Sequence, residues 1–200
     1  MEFGVIDYGA SNMFSLLSAL KRLDVEIDVV SEVKDISIYS AIVLPGVGNF
    51  SSASNTIKKM KNKILDAVEK DMPTLGICLG LQLMFEQSEE GSGEGLSIFE
   101  GSVVKFGEGV KIPHMGWNMV KPDRDSILFD GVKKRIWVYF AHSYYPKPID
   151  DSIIRGTTFY GSKFTSVVEK NNLFGTQFHP EKSGNVGKAI LENFIRYVKR

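Results

Sequence analysis

Residues 75–82 read LGICLGLQ and carry the only cysteine of the chain, Cys78, flanked by Gly76 and Gly80. G-x-C-x-G between an apolar run and a helical segment is the thiol counterpart of the nucleophile elbow G-x-S-x-G. An elbow holds its nucleophile on a strained turn. Glycines on either side let the strand and the helix cross closely. A helix starting near Leu79 points free N–H groups at the sulfur, and its dipole favours thiolate over thiol. The N–H of Leu79 then serves as one donor of an oxyanion hole. The alternative is a cysteine packed as a small hydrophobe. The carboxyl end of a predicted parallel strand, where ligands of open α/β sheets gather, favours the nucleophile.

A thiol nucleophile needs a base, and the chain offers His114, His142 and His179. His179 lies in TQFHPEKS. In extended backbone, residues i and i+2 share a side, so His179 and Glu181 point together. Pro180 between them biases His179 toward extended backbone. A carboxylate there fixes the imidazole tautomer and stabilises its cation. His114 in IPHMGWN and His142 in FAHSYYP have no carboxylate at such spacing and read as structural histidines. The second oxyanion donor is expected from LPGVG (44–48), where Gly46 and Gly48 let the peptide around Val47 turn an N–H inward. Taken alone, that stretch is an ordinary strand-to-loop turn.

These residues need a scaffold that brings positions 78 and 179 together. FGVID (3–7), VEIDVV (25–30), AIVL (41–44) and PTLGI (73–77) read as strands. SNMFSLLSALKRL reads as a helix between the first two, and Ile57, Met60, Ile64, Leu65 and Val68 as one amphipathic helix further on. This alternation predicts a parallel sheet covered on both faces. The second half holds short strand-like runs, SVVKF, RIWVYFAH, IIRGTTFYG, FTSVVEK and LFGTQFHP, then a closing helix in VGKAILENFIRYVKR. The expected fold is α/β: a mixed, largely parallel central sheet flanked by helices, with an antiparallel extension. SEEGSGEG (88–95) reads as a mobile connector.

With 200 residues, 43% of them hydrophobic, the chain suffices for one domain spanning 1–200. Basic and acidic residues balance at 24 each, which gives no broad field for nucleic acid or an anionic membrane. No apolar stretch is long enough to span a bilayer, and MEFGVIDYG has no signal-peptide pattern. A single cysteine excludes an internal disulfide and a multi-cysteine metal site, and suits a reducing cytoplasm.

PGVG, GICLGLQ and FHPE, in that order, resemble the class I (triad) glutamine amidotransferases, whose core is flavodoxin-like. DYGASN, PHMGWN (113–118) and FAHSYY (140–145) are similar, more narrowly, to the glutaminase subunits of imidazole glycerol phosphate synthase. The resemblance implies L-glutamine as substrate, a Cys78–His179–Glu181 triad and oxyanion donors at Leu79 and Val47–Gly48, with no cofactor and no metal. It implies a glutamine pocket of Gly46, Gln82, Ser143, Tyr144 and Glu90, with Glu89 able to replace Glu90. It further implies a 1:1 heterodimer with a (β/α)₈ cyclase subunit, faced by Asn12, Trp117, Tyr139 and Lys182, of which Trp117 and Tyr139 also read as core aromatics. Ser11 stands where the second glycine of D-Y-G-x-G-N is usual, which bears on the docking loop and not on the thiol. The glutaminase of pyridoxal phosphate synthase and a partner-independent thiol hydrolase are the other readings, and PHMGWN speaks against the first.

Overall fold

The computed structural model of the chain describes residues 1–9, 13–32, 35–123, 125–132 and 136–200. The expected Asn12 interface residue and Ser11 lie outside the described residues. In chain order the first half forms β1 (Glu2–Ile6), α1 (Phe14–Lys21), β2 (Glu26–Val30), β3 (Ala41–Leu44), α2 (Phe50–Ile57), α3 (Lys61–Glu69), β4 (Thr74–Ile77) and α4 (Leu79–Leu83). The second half adds β5 (Gln87–Ser88), β6 (Gly101–Lys105), β7 (His114–Pro122), β8 (Ile136–His142), β9 (Tyr144–Pro148), β10 (Ile154–Tyr160), β11 (Ser162–Lys170), β12 (Leu173–Thr176) and α5 (Gly184–Val198).

Nine strands make one sheet in the order β2-β1-β3-β4-β12-β11-β10-β7-β8. The pairings from β2 to β12 are parallel, and those from β12 to β8 are antiparallel. The mixed sheet expected from the sequence is therefore present, with its switch of direction at β12. A second sheet of β5, β6 and β9 sits beside it.

Strand alternation divides the core. Phe3, Val5, Val43, Leu75 and Ile77 face α1 and α5, where Leu16, Leu20, Ile190 and Phe194 meet them. Ile6, Ile42 and Leu44 face the opposite way, toward Phe50, Ile57 and Ile64 of α2 and α3. Both faces of β3 and β4 are thus dry, which is why these two strands are apolar without alternation.

Three expectations need correction. The helix expected through Ile57, Met60 and Ile64 is two helices, broken at Lys58–Met60 by tightened turns such as Met60 N–H to Ile57 O at 2.8 Å. All three residues stay buried in one cluster, so hydrophobic spacing runs through the break without registering it. PHMGWN opens the nine-residue strand β7, which is absent from the strand-like runs read in the sequence. The stretch 88–95 is a pinned loop rather than a mobile connector: Ser54 Oγ donates to Glu94 O at 2.6 Å, and Lys61 Nζ to Gly95 O at 2.7 Å.

Candidate active site

Cys78 ends β4 and immediately precedes α4, with φ 49° and ψ −104°. Such a conformation costs a non-glycine residue about 1–3 kcal/mol and persists only where the surroundings hold it. Here the Cys78 N–H donates to Thr176 O at 2.7 Å, and its carbonyl accepts the Gln82 N–H at 3.0 Å. The flanking glycines are demanded by contact. A Cβ on Gly76 would lie 2.8 Å from Leu81 Cα, and one on Gly80 would lie 2.0 Å from Leu44 O. The elbow inferred from G-x-C-x-G is therefore present in backbone geometry.

β12 runs beside β4 in register, Thr176 against Ile77. That pairing delivers the segment 177–181 to the same sheet end as the thiol. The His179 N–H donates to Tyr139 O at 2.9 Å, and Ser183 Oγ donates to His179 O at 2.6 Å, so the histidine backbone is fixed on both sides. His179 Nδ1 and Glu181 Oε1 lie 2.8 Å apart, with side-chain exposures of 2% and 6%. Burial by itself lowers the pKa of His179. The charge and hydrogen bonding of Cys78, then the hydrogen bond and charge of Glu181, outweigh it and raise the pKa to about 10. The ring is thus an imidazolium at neutral pH, set between a carboxylate and a sulfur.

Gly46 wedges into this pair. A Cβ there would stand 2.6 Å from Ile77 O, 2.9 Å from Cys78 Cβ and 3.1 Å from His179 Cε1. The loop after β3 therefore passes directly over the nucleophile and the base. Together with Val47, Gly48, Leu79 and Gln82 these residues line a cavity of about 280 Å³, near the lower end of small-ligand sites, roughly 300–1,000 Å³. Larger clefts of about 380 Å³ between α1 and α5 and about 680 Å³ beside Glu169 hold neither a cysteine nor a histidine, so chemistry and not size selects the site.

Ser143, Tyr144 and Glu90 line the same cavity. Glu90 Oε2 accepts the Phe50 N–H at the start of α2 at 2.7 Å. Glu89 turns away and accepts the Lys105 N–H at 2.7 Å, so Glu90 is the carboxylate at the cavity. Gln82 Nε2 donates to Tyr144 O at 2.9 Å and to Gln177 Oε1 at 3.2 Å. Its amide nitrogen therefore braces the cavity wall. Of the expected interface residues, Trp117 is 55% exposed, which excludes a core role, and its ring packs edge-on against half-buried Tyr139. Lys182 is exposed.

Sequence reasoning misses Gln177, whose Nε2 lies 3.5 Å from Cys78 Sγ. The i, i+2 rule that joins His179 to Glu181 reaches Gln177 when applied one step backward. His114 and His142, expected to be structural, form a relay that explains that role. His142 Nδ1 must donate to Tyr144 O, 2.8 Å away, because a carbonyl only accepts. His142 Nε2 then accepts from His114 Nδ1 at 3.1 Å, and His114 Nε2 accepts from Asn118 at 3.2 Å. Burial pushes His142 down to about 3 and His114 to about 4, so both rings are neutral. They rigidify residues 141–144 and leave acid–base work to His179.

Among the described residues no cluster of His, Cys, Asp and Glu could hold a metal ion, and no helix is long and apolar enough to cross a membrane. The glutamine amidotransferase class-I family matches residues 4–198. The imidazole glycerol phosphate synthase subunit HisH of Methanocaldococcus jannaschii is 46% identical over 193 residues, covering 96% of this chain and 97% of that one. The protein of the same name from Caldanaerobacter subterraneus subsp. tengcongensis is 44% identical over 199 residues, covering 98% of each. In fold the chain is similar to PurLQS from Thermotoga maritima, with TM-score 0.79, 22% identity and 98% coverage of each. It is likewise similar to a glutamine amidotransferase from the same organism, with TM-score 0.67, 17% identity and coverage of 100% of this chain and 84% of that one. Matched along nearly its whole length, the chain belongs to the class-I glutamine amidotransferase family, within the group of imidazole glycerol phosphate synthase HisH subunits.

Proposed function

We propose that residues 1–200 act as one glutaminase domain that hydrolyses L-glutamine and passes the ammonia to a (β/α)₈ cyclase subunit making imidazole glycerol phosphate for histidine biosynthesis. The observation that carries the chemistry is the buried Cys78–His179–Glu181 line at a cavity also lined by Gly46, Val47, Gly48 and Leu79.

In the first step the Cys78 sulfur attacks the side-chain amide carbon of glutamine. The carbonyl electron pair moves onto oxygen, which the N–H groups of Leu79 and Gly48 hold. His179, holding the proton taken from the Cys78 thiol, gives it to the departing nitrogen, so the C–N bond breaks as ammonia leaves and a glutamyl thioester remains. His179 then takes a proton from water, hydroxide attacks the thioester carbon, the C–S bond breaks as the sulfur regains that proton from His179, and glutamate departs. Glu181 keeps the Nδ1 proton in place throughout and stabilises the cation. Glu90 is suited to the α-ammonium of glutamine. Gly46, Gln82, Ser143 and Tyr144 shape the rest of the pocket.

The docking face follows from β7 and β8, where Trp117 stands opposite Tyr139 and Met119 opposite Trp137. Met115, Trp117, Met119 and Trp137 are all exposed, a patch of the kind that marks an interaction site. Met115 also lines the cavity, so a partner seated there reaches the point of ammonia release. The lone cysteine supports work in a reducing cytoplasm. The test is Cys78→Ala in the complex with the cyclase subunit. Glutamine-dependent synthesis should vanish while ammonia-dependent synthesis persists. Retained glutamine-dependent turnover would remove Cys78 from the chemistry.

A further inference from the structure

Tyr8 is among the most deeply buried large side chains in the molecule, 2% exposed, yet its hydroxyl has no hydrogen-bond partner. A buried hydroxyl without a partner is costly, and phenylalanine would fill the same space without that cost. Tyr8 belongs to the same buried apolar cluster as Leu44, Phe50 and Leu79. Leu44 and Phe50 are the two anchors of the loop 45–49, and Leu79 carries an oxyanion donor. β1 pairs parallel with β3, Val5 against Val43, so Tyr8, two residues past β1, and Gly46, two past β3, leave the same end of the sheet. In the strand order β1-β3-β4 the loop after β3 runs between the segment after β1, which carries Tyr8, and Cys78 at the end of β4. The Tyr8 hydroxyl also feels the Cys78 sulfur: burial first, then the charge of Cys78, raises its pKa well above normal.

The loop has a matching deficiency. Among the described residues, no backbone hydrogen bond ties Pro45, Gly46, Val47 or Gly48. A peptide unit is planar and trans, so its N–H and C=O point in opposite directions. A Gly48 N–H turned into the cavity, on the β4 side of the loop, drives the Val47 carbonyl the opposite way, toward the β1 side that carries Tyr8. That carbonyl then needs a donor, and the nearby hydroxyl needs an acceptor.

We infer that Tyr8 is a positioning residue for the oxyanion loop: its hydroxyl donates to the Val47 carbonyl when the Val47–Gly48 peptide presents its N–H to the reacting oxygen. Tyr8 acts through the loop and touches no substrate atom. The inference rests on the glutaminase reading above.

The test is Tyr8→Phe, assayed in the complex with the cyclase subunit beside the unsubstituted protein. The expected result is a three- to tenfold lower kcat for glutamine, about the worth of one neutral hydrogen bond, with KM unchanged. Alkylation of Cys78 by iodoacetamide, which needs no oxyanion hole, should proceed at the unsubstituted rate. The melting temperature should hold or rise, because the variant removes an unpaired hydroxyl. An unchanged kcat would overturn the inference. So would a parallel loss of turnover, alkylation and melting temperature, which would make the hydroxyl structural. Failure of the unsubstituted complex to hydrolyse glutamine would overturn the glutaminase reading and this inference with it.

Discussion

Gly46→Ala should nearly abolish glutamine hydrolysis while leaving a folded protein. The added Cβ would sit 2.6 Å from Ile77 O, about 0.8 Å short of an ordinary 3.4 Å contact. Ile77 O belongs to a buried parallel strand and cannot yield. The loop must therefore lift, or Cys78 and His179 must part, since the same methyl meets Cys78 Cβ at 2.9 Å and His179 Cε1 at 3.1 Å. Either movement displaces a reacting group by most of an ångström, which costs on the order of 10²-fold in rate. Overpacking of this size costs about 1–3 kcal/mol of stability, or a melting temperature lower by roughly 2–12 °C in a chain of this length. The assay is kcat for glutamine in the complex, with ammonia-dependent synthesis and thermal unfolding run alongside. A kcat within threefold of the unsubstituted value would show that the loop does not bear on the nucleophile and base as described.

Three further outcomes follow from the same geometry. His179 has a folded pKa of about 10 against 6.5 unfolded, so its contribution to stability is complete below pH 6.5 and lost as pH rises to about 10. The denaturant midpoint should fall across that window, and His179→Gln should flatten the fall. Glu90→Gln keeps an acceptor for the Phe50 N–H but removes the charge offered to the substrate ammonium, so KM should rise about tenfold with kcat unchanged, as steady-state kinetics would read. Trp117→Ala should weaken binding of the cyclase subunit by about 2 kcal/mol, measured by titration calorimetry, without changing the chain's own melting temperature.

The elbow was legible because its chemistry is local: two glycines, one cysteine and the helix behind them lie within five residues, and each is forced by a contact within that turn or against β3. His179 and Glu181 were legible for the same reason, as an i, i+2 pair. Their meeting with Cys78 depends on β12 pairing with β4, a contact between positions about a hundred residues apart that no short-range pattern encodes. Hydrophobic spacing hid the break between α2 and α3 because Ile57, Met60 and Ile64 face one cluster on both sides of it. The composition of SEEGSGEG suggests mobility, whereas the side chains of Ser54 and Lys61 from distant helices hold its carbonyls. For Gln177 the i, i+2 spacing gives only the shared side with His179; its value lies in what it touches, the sulfur and Gln82, which are contacts across the fold.

The central claim is that the Cys78 sulfur takes the glutamyl group from glutamine. It is tested most directly by mass spectrometry of the intact chain, quenched in acid during turnover. The expected result is a labile adduct equal to glutamine less ammonia, carried on the peptide containing Cys78 and absent from Cys78→Ala. Turnover with no covalent intermediate, or an adduct on any other residue, would contradict it.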